Sequence, residues 1–326
     1  MKTLQAKETK KHMNILGRRG TAFLAVISFD MQHNHVMPLE TICDNDCLYH
    51  FPNKTNAHNS CHRKINTQLN FTPLPFDEYH KAYKKVLAHI NRGDSYLCNL
   101  CFETEVNLNE KLHHIFHGSQ ARYKLWMKDK FVCFSPESFI KTHQNTIYTY
   151  PMKGTIDASD INAKNTLVAD PKEKAEHYTI TDLLRNDLSM VSDNVEVSRY
   201  RYIEKITTSR NQLLQTSTEI KGMLSEGWQH QTGDIIFKLL PAGSITGAPK
   251  QKTVDIINKT ENHKRGYYTG ITCLFDGTDI DSFVMIRMIT EKNGKHYYKS
   301  GGGITSLSNP ESEYKEMIQK IYVPIH

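Results

Sequence analysis

Apolar residues recur at three- and four-residue steps between residues 76 and 92, where Tyr79, Tyr83, Val86, Leu87 and Ile90 share one side of a helix. Gly93-Asp94 ends it. A second helix opens at Asp170-Pro171. Asp170 caps the first free N–H groups, Pro171 suits the first turn, and Glu173 completes an Asp-x-x-Glu box. That helix runs past Leu184 toward Asp187. Further helices are predicted over residues 234–240, 249–257 and from Asn309-Pro310 to about Ile321. Apolar or alternating runs predict strands at residues 21–30, 96–106, 123–127, 131–134, 146–150, 267–275, 283–291 and 296–300, with a brief extended piece at Phe139-Ile140. Residues 43–72 are polar and read as loops. The turns Phe275-Asp276-Gly277-Thr278 and Lys292-Asn293-Gly294-Lys295 are short enough to demand antiparallel pairing. The predicted class is therefore α+β and not a doubly wound parallel sheet.

With 326 residues, 38% hydrophobic and 23% charged, the chain can bury a sizeable core. It has no run of about 18 apolar residues, so no membrane helix is expected. The apolar run at residues 22–27 has strand length and no cleavage site after it, unlike a signal peptide. The net charge of +6 raises the question of a nucleic-acid partner. Its placement answers it: Lys2, Lys7, Lys10, Lys11, Arg18 and Arg19 face Glu8 alone in residues 1–20, and the remainder is nearly neutral. Neither a nucleic-acid nor a membrane partner is expected. Residues 1–20 read as a disordered basic tail, 21–74 as a short leading segment and 75–326 as the main domain. Seven scattered cysteines fit reduced thiols in a cytoplasm. Cys98-Asn99-Leu100-Cys101 lacks a second pair, and Cys43, Cys47, Cys61 and His62 lack a compact zinc spacing.

Two predicted helices each carry carboxylates three residues apart, Glu173 with Glu176 and Glu313 with Glu316, so each pair shares a face. Four glutamates around one cavity repel unless a hard cation lies among them. Mg²⁺ suits such a set because it takes oxygen ligands and keeps exchangeable water. On spacing alone a solvated helix face serves as well, and Glu316 with Lys320 suits a surface ion pair. Gly301-Gly302-Gly303 lets backbone N–H groups approach an anion, or forms a plain flexible turn. Residues 241–250 form a long Gly/Pro-rich loop suited to binding, without the Gly-Lys-Ser/Thr ending of a Walker loop. Arg287 lies in an apolar strand; buried there, it needs an anionic partner, and on the solvent face it needs none.

Taken in order, Ser135-Pro136-Glu137, Pro151-Met152-Lys153-Gly154-Thr155, Lys172-Glu173-Lys174-Ala175-Glu176-His177, Asp182-Leu183-Leu184-Arg185-Asn186-Asp187, the 241–250 loop, Tyr268-Thr269-Gly270, Ile286-Arg287 and Gly301 through Glu316 resemble one set of motifs. They are those of the chorismate-utilising enzymes: component I of anthranilate synthase and of aminodeoxychorismate synthase, and the isochorismate and salicylate synthases. The resemblance covers about residues 75–326, a chorismate-binding catalytic domain. It implies an anthranilate-synthase-like α+β fold of two facing, mainly antiparallel sheets with helices outside.

Lys153 selects within the group. Aminodeoxychorismate synthases resemble Pro-x-Lys-Gly-Thr at this place and anthranilate synthases Pro-x-Ala-Gly-Thr. The implied reaction is amination of chorismate to 4-amino-4-deoxychorismate, toward 4-aminobenzoate and folate. A neutral Lys153 amine attacks ring C2 as the C4 hydroxyl leaves, Glu137 protonates that hydroxyl, and ammonia enters at C4 and expels the lysine. The resemblance makes Glu176 and Glu313 direct Mg²⁺ ligands, with Glu173 and Glu316 acting directly or through water. Tyr268, Arg287, the Gly302-Gly303 backbone and Lys320 would hold the enolpyruvyl carboxylate, with Ser244 and Thr155 also contacting substrate. Gln212 stands where the family's ring-side histidine is expected, and it cannot carry a proton at neutral pH. No Gly-x-Cys-x-Gly glutaminase elbow occurs, so ammonia is expected from a separate glutaminase subunit. Lys153 counts against anthranilate synthase component I. The intact acidic positions count against a catalytically silent chorismate-binding subunit.

Overall fold

The computed structural model describes residues 2–57, 67–207 and 212–325. The chain divides into two compact units, each drawn from three stretches of sequence. The first takes Met1–Thr41, Glu137–Ser244 and Gly270–Val284, and the second Ile42–Pro136, Ile245–Thr269 and Met285–His326. Each carries one antiparallel sheet, as the short turns predicted, with helices packed on it.

In the first unit, Phe23–Ile27 is buried at every position and lies inside the sheet, between His35–Pro38 and Ile271–Phe275. The predicted turn after Phe275 leads into Ile280–Val284. The sheet continues through Ser138–His143 and Thr146–Thr149 to the long strand Gln212–Met223. Asp193–Thr207 pairs along one edge of that strand from end to end. Thr146–Thr149 and Met152–Asp157 therefore share its other edge, one after the other, across Pro151. The helix Pro171–Ser189 packs on Met152–Asp157, Asp193–Thr207 and Gln212–Met223. Asp170 caps it as the sequence predicts, accepting the Glu173 N–H at 2.9 Å.

The basic N-terminal segment is not a disordered tail. Ala6–Arg18 is a helix that buries Thr9, Met13, Leu16 and Gly17, one face at helical spacing. It crosses the helix Thr232–Leu239 closely, because a Cβ on Gly17 would lie 2.2 Å from the Gln229 carbonyl oxygen and one on Gly233 would lie 2.4 Å from that of Lys10. Lys10 Nζ meets Asp234 at 3.0 Å and Asn14 Nδ2 donates to the same carboxylate at 2.6 Å. The charge that suggests a tail lies on the helix's outer face and at this crossing.

In the second unit the sheet runs Gly247–Ala248, Leu97–Leu108, Lys295–Ile304, Met288–Lys292, Phe131–Ser135, Tyr123–Met127, Cys47–Phe51 and Lys54–Thr55, with Leu69–Phe71 also on Leu97–Leu108. The helix Phe76–Asn91 buries Tyr79, Tyr83, Val86 and Ile90, the predicted face. A core of Val106, Phe116, Trp126, Phe134, Ile289 and Tyr298 fills one side. Residues 43–72, read as loops, contribute three of these strands; Cys61 and His62 lie outside the described residues. The single strand expected over 283–291 is two, Ile280–Val284 in one sheet and Met288–Lys292 in the other. Arg287 sits at the switch with φ +53°, outside any strand, so its strand-face alternatives do not apply. No helix of the described residues is long and apolar enough to cross a membrane.

Candidate functional site

In the first unit Lys153 lies within Met152–Asp157, not at a strand end before a turn. It stands opposite Thr216, and the pairing then shifts, so that Thr155 faces Gln215. Gly154 makes the irregularity possible. Its φ is +70°, and a Cβ there would lie 2.8 Å from Leu167 Cδ1 and 3.0 Å from Glu173 Oε2. The glycine thus lets a Glu173 carboxylate oxygen come against the backbone beside Lys153. From the next turn of the same helix, Glu176 accepts a hydrogen bond from Lys153 Nζ at 3.3 Å. These two side chains are 12% and 24% exposed, so the pair is shielded rather than solvated. Glu173 and Glu176 do share the face that the spacing predicts, and that face meets the lysine strand.

Glu137 precedes Ser138–His143, and its carbonyl oxygen accepts the Val284 N–H at 3.1 Å. Ser244 Oγ donates to Glu137 Oε1 at 2.5 Å. The 241–250 loop is held on the helix at Gly243, where a Cβ would lie 2.9 Å from Leu183 Cδ2 and 3.0 Å from Asp187 Oδ2. Thr155 is exposed. Gln212 is not brought to Lys153. It is exposed at the start of its strand, opposite Thr207 and four residues from Thr216, about 13 Å along the strand. Its neighbour Asn211 lies outside the described residues.

The residue missed in this unit is His177. It is fully buried, with Nε2 2.6 Å from Thr218 Oγ1. Burial, then Arg201 and Lys153, push its pKa down to about 4, so the imidazole is neutral at pH 7. Its one sequence signal is adjacency to Glu176 on the inward face.

In the second unit Gly301, Gly302 and Gly303 are not a flexible turn. They lie within Lys295–Ile304, opposite Cys101, Leu100 and Asn99. Gly301 is required there, because a Cβ would lie 2.3 Å from the Leu100 carbonyl oxygen. A Cβ on Gly302 would have Glu313 Oε2 at 3.5 Å and Lys320 Nζ at 3.7 Å. Glu313, 5% exposed, accepts from Ser308 Oγ at 2.9 Å. Lys320 Nζ donates to the Gly301 carbonyl at 2.9 Å and meets Glu316 at 2.7 Å. Arg287 donates to the Lys320 carbonyl at 3.2 Å, with its guanidinium 5.0 Å from the Tyr322 ring centre. Gly302, Glu313, Glu316 and Lys320 are thus brought together, a cation beside two carboxylates and a strand backbone, with Arg287 bonded to the Lys320 carbonyl. Tyr268 is buried, and burial holds its hydroxyl well above the usual range, protonated and able to donate.

Beneath Tyr268 lies a pair that the motif reading did not single out. Arg265 and Glu261 meet at 2.7 Å with both side chains 2% exposed. Arg265 also donates to the carbonyls of Ile245 and Asn99, and its own carbonyl accepts the Tyr268 N–H at 3.1 Å.

Among the described residues, no three His, Cys, Asp or Glu side chains converge on a point that a metal ion could occupy. Cys98 and Cys101 are buried thiols, each pushed up to about 12 by burial, and remain protonated. The acidic groups occur as helix-borne pairs. Such a pair is a sufficient protein share for Mg²⁺, which takes one or two carboxylates and completes its shell with water and substrate oxygens.

Residues 20–326 match the family model described as chorismate binding enzyme. The chain is 47% identical over 326 residues to an uncharacterized PabA-like protein of Haemophilus influenzae, with 98% of each covered. It is 30% identical over 265 residues to aminodeoxychorismate synthase component 1 of Bacillus subtilis, covering 77% of this chain and 55% of that one. It thus spans about half that relative's length. Among solved structures it resembles anthranilate synthase component I from Streptococcus pneumoniae with a TM-score of 0.68 and 26% identity, over 78% of this chain and 58% of that chain.

Proposed function

The chain belongs to the chorismate-binding enzyme family, and within it we propose that it aminates chorismate to 4-amino-4-deoxychorismate through Lys153. One observation carries the reading: a shielded lysine amine held 3.3 Å from Glu176, in the unit that also holds Glu137 hydrogen-bonded to Ser244.

Lys153 Nζ, as the neutral amine, forms a bond to ring C2. Both ring double bonds shift round the ring, from C1=C2 and C5=C6 to C1=C6 and C4=C5, the C4–O bond breaks, and Glu137 gives its proton to the departing hydroxyl, which leaves as water. Ammonia then bonds to C4, both double bonds return, and the C2–N bond to Lys153 breaks. Tyr268, Arg287, Lys320 and the Gly302-Gly303 backbone hold the enolpyruvyl carboxylate; two cations and a neutral hydroxyl donor suit an anion. Glu173 with Glu176, and Glu313 with Glu316, are the two pairs proposed as able to bind magnesium, and a bound ion would neutralise the ring carboxylate. A separate glutaminase is the proposed ammonia source, since this sequence has no glutaminase elbow.

Incubation of the protein with chorismate, Mg²⁺ and an ammonium salt, followed by a lyase that cleaves aminodeoxychorismate, tests the reading. Formation of 4-aminobenzoate is expected. Formation of 2-aminobenzoate without the lyase would overturn it.

A further inference from the structure

We propose that His177 is a positioning residue that fixes Lys153 through the hydroxyl of Thr216, an inference that rests on Lys153 being the nucleophile. His177 lies on the helix Pro171–Ser189, fully buried against Gln212–Met223. Its Nε2 is 2.6 Å from Thr218 Oγ1 and its Nδ1 is 3.4 Å from Thr216 Oγ1. Thr216 stands opposite Lys153 in the sheet, and its hydroxyl donates to the Lys153 carbonyl oxygen. Thr218 Oγ1 accepts the backbone N–H of Arg201 at 3.0 Å.

One end of this chain of bonds is the Lys153 carbonyl oxygen, and the protons are assigned from that end. A carbonyl oxygen only accepts, so the single Thr216 proton points at Lys153. Nδ1 can then join Thr216 only by donating its own N–H. In the neutral imidazole Nε2 then carries no proton and must accept, so the Thr218 hydroxyl donates to it while its oxygen also accepts the Arg201 N–H. Every member has its partners: Arg201 N–H to Thr218, Thr218 O–H to Nε2, Nδ1–H to Thr216, and Thr216 O–H to Lys153. A buried network of this kind, fully satisfied, fixes geometry.

The fixed point is where the strand is least regular. The register shifts immediately after Lys153, and Gly154 has a positive φ. A bulge loosens the ladder there, and the lysine side chain is long and freely rotating. One helical turn therefore holds Lys153 at both ends. Glu176 takes the amine, and His177, one residue on, holds the carbonyl through Thr216. A histidine that only filled space would give the same burial without needing the hydroxyl of Thr216.

The test compares His177→Asn, His177→Gln and Thr216→Val. An Asn amide falls near the Nδ1 position and keeps a donor for Thr216, whereas a Gln amide falls near Nε2 and loses that arm. Valine keeps the shape of Thr216 and removes its hydroxyl. Initial rates of chorismate consumption are measured with Mg²⁺ and ammonium, together with the amino product and the thermal midpoint. His177→Gln and Thr216→Val are expected to lower kcat on the order of ten- to a hundredfold with KM for chorismate little changed. His177→Asn should recover most of kcat, and the Gln/Val double variant should be no worse than either single one. Equal losses in the Asn and Gln variants that track the thermal midpoint would overturn the proposal, and so would an unchanged kcat in Thr216→Val. If His177→Gln does not fold, Thr216→Val alone decides. A wild type that consumes chorismate without forming an amino product overturns the amination reading. The ordering of the variants on chorismate consumption then still decides the role of His177. A wild type that consumes no chorismate overturns both.

Discussion

Replacing Glu261 with glutamine should cost the second unit more than any single surface change. Glu261 and Arg265 form a bidentate pair, Nη2 to Oε1 at 2.7 Å and Nε to Oε2 at 3.0 Å. The remaining Arg265 N–H groups go to the Ile245 carbonyl at 3.0 Å, Thr269 Oγ1 at 3.3 Å and the Asn99 carbonyl at 2.6 Å. All five guanidinium donors thus have acceptors. Glu261 Oε1 also accepts the Cys101 N–H at 2.9 Å. Glutamine keeps the shape, removes the charge and turns one acceptor into a donor that faces other donors. Removing one partner of a buried pair costs about 3–5 kcal/mol, because the other charge stays buried. That is a large share of an ordinary stability of about 5–15 kcal/mol. Urea unfolding, followed by circular dichroism, should show the loss. Arg265→Met combined with Glu261→Leu should regain part of it, since no charge is left unpaired, although the backbone groups lose their partners. A loss below about 1 kcal/mol for Glu261→Gln, or a double variant weaker than the single one, would refute the reasoning.

Four further outcomes follow from the structure. Gly154→Ala must adopt φ +70° and meet Leu167 at 2.8 Å, so a loss of about 2–4 kcal/mol and of most turnover is expected. Gly302→Ala, whose Cβ meets nothing closer than 3.5 Å, should lower the thermal midpoint far less; equal effects would show that contact distance does not govern these sites. Burial lowers His263 from 6.5 to about 4, so the unfolded chain takes up its proton first as the pH falls. Its contribution to stability is therefore full above pH 6.5 and is lost as the pH falls from 6.5 to about 4. His263→Leu should flatten that fall by on the order of 1–3 kcal/mol in urea titrations at pH 7 and pH 4.5; an unchanged slope would contradict it. Glu137→Gln keeps the acceptor for Ser244 and loses the proton to donate, so kcat should fall about 10²–10⁴-fold while chorismate still protects the protein thermally.

Much of the frame was legible in the sequence because local rules decide it. Asp170 caps its helix as expected, Asn309 caps the last one by accepting the Ser312 N–H, and the Asp276-Gly277 and Asn293-Gly294 turns join antiparallel neighbours. The acidic helix was also legible, since spacing puts Glu173 and Glu176 on one face, whereas the lysine strand Met152–Asp157 was not, because the expected strand stops before Pro151. What failed was set by distant contacts. The N-terminal helix hides its apolar face among lysines, and its stability comes from Gly17 and Gly233 letting it close on residues more than 200 positions away. Gln212 was misjudged because a strand's register depends on partners. The pairing puts Thr216, not Gln212, opposite Lys153. Arg287 looked like a strand residue because apolar runs continue on both sides, although two separate sheets supply them. His177 offered only its place beside Glu176 as a signal, and its role needed the two threonines on the facing strand.

Direct detection of the lysine adduct tests the central claim. Protein mixed with chorismate and Mg²⁺ without ammonia, quenched and digested, should yield a Lys153 peptide heavier by chorismate less one water. Ammonium added before the quench should discharge that peptide and release 4-amino-4-deoxychorismate. Unmodified Lys153 throughout, with Lys153→Ala still aminating chorismate at the wild-type rate, would contradict it.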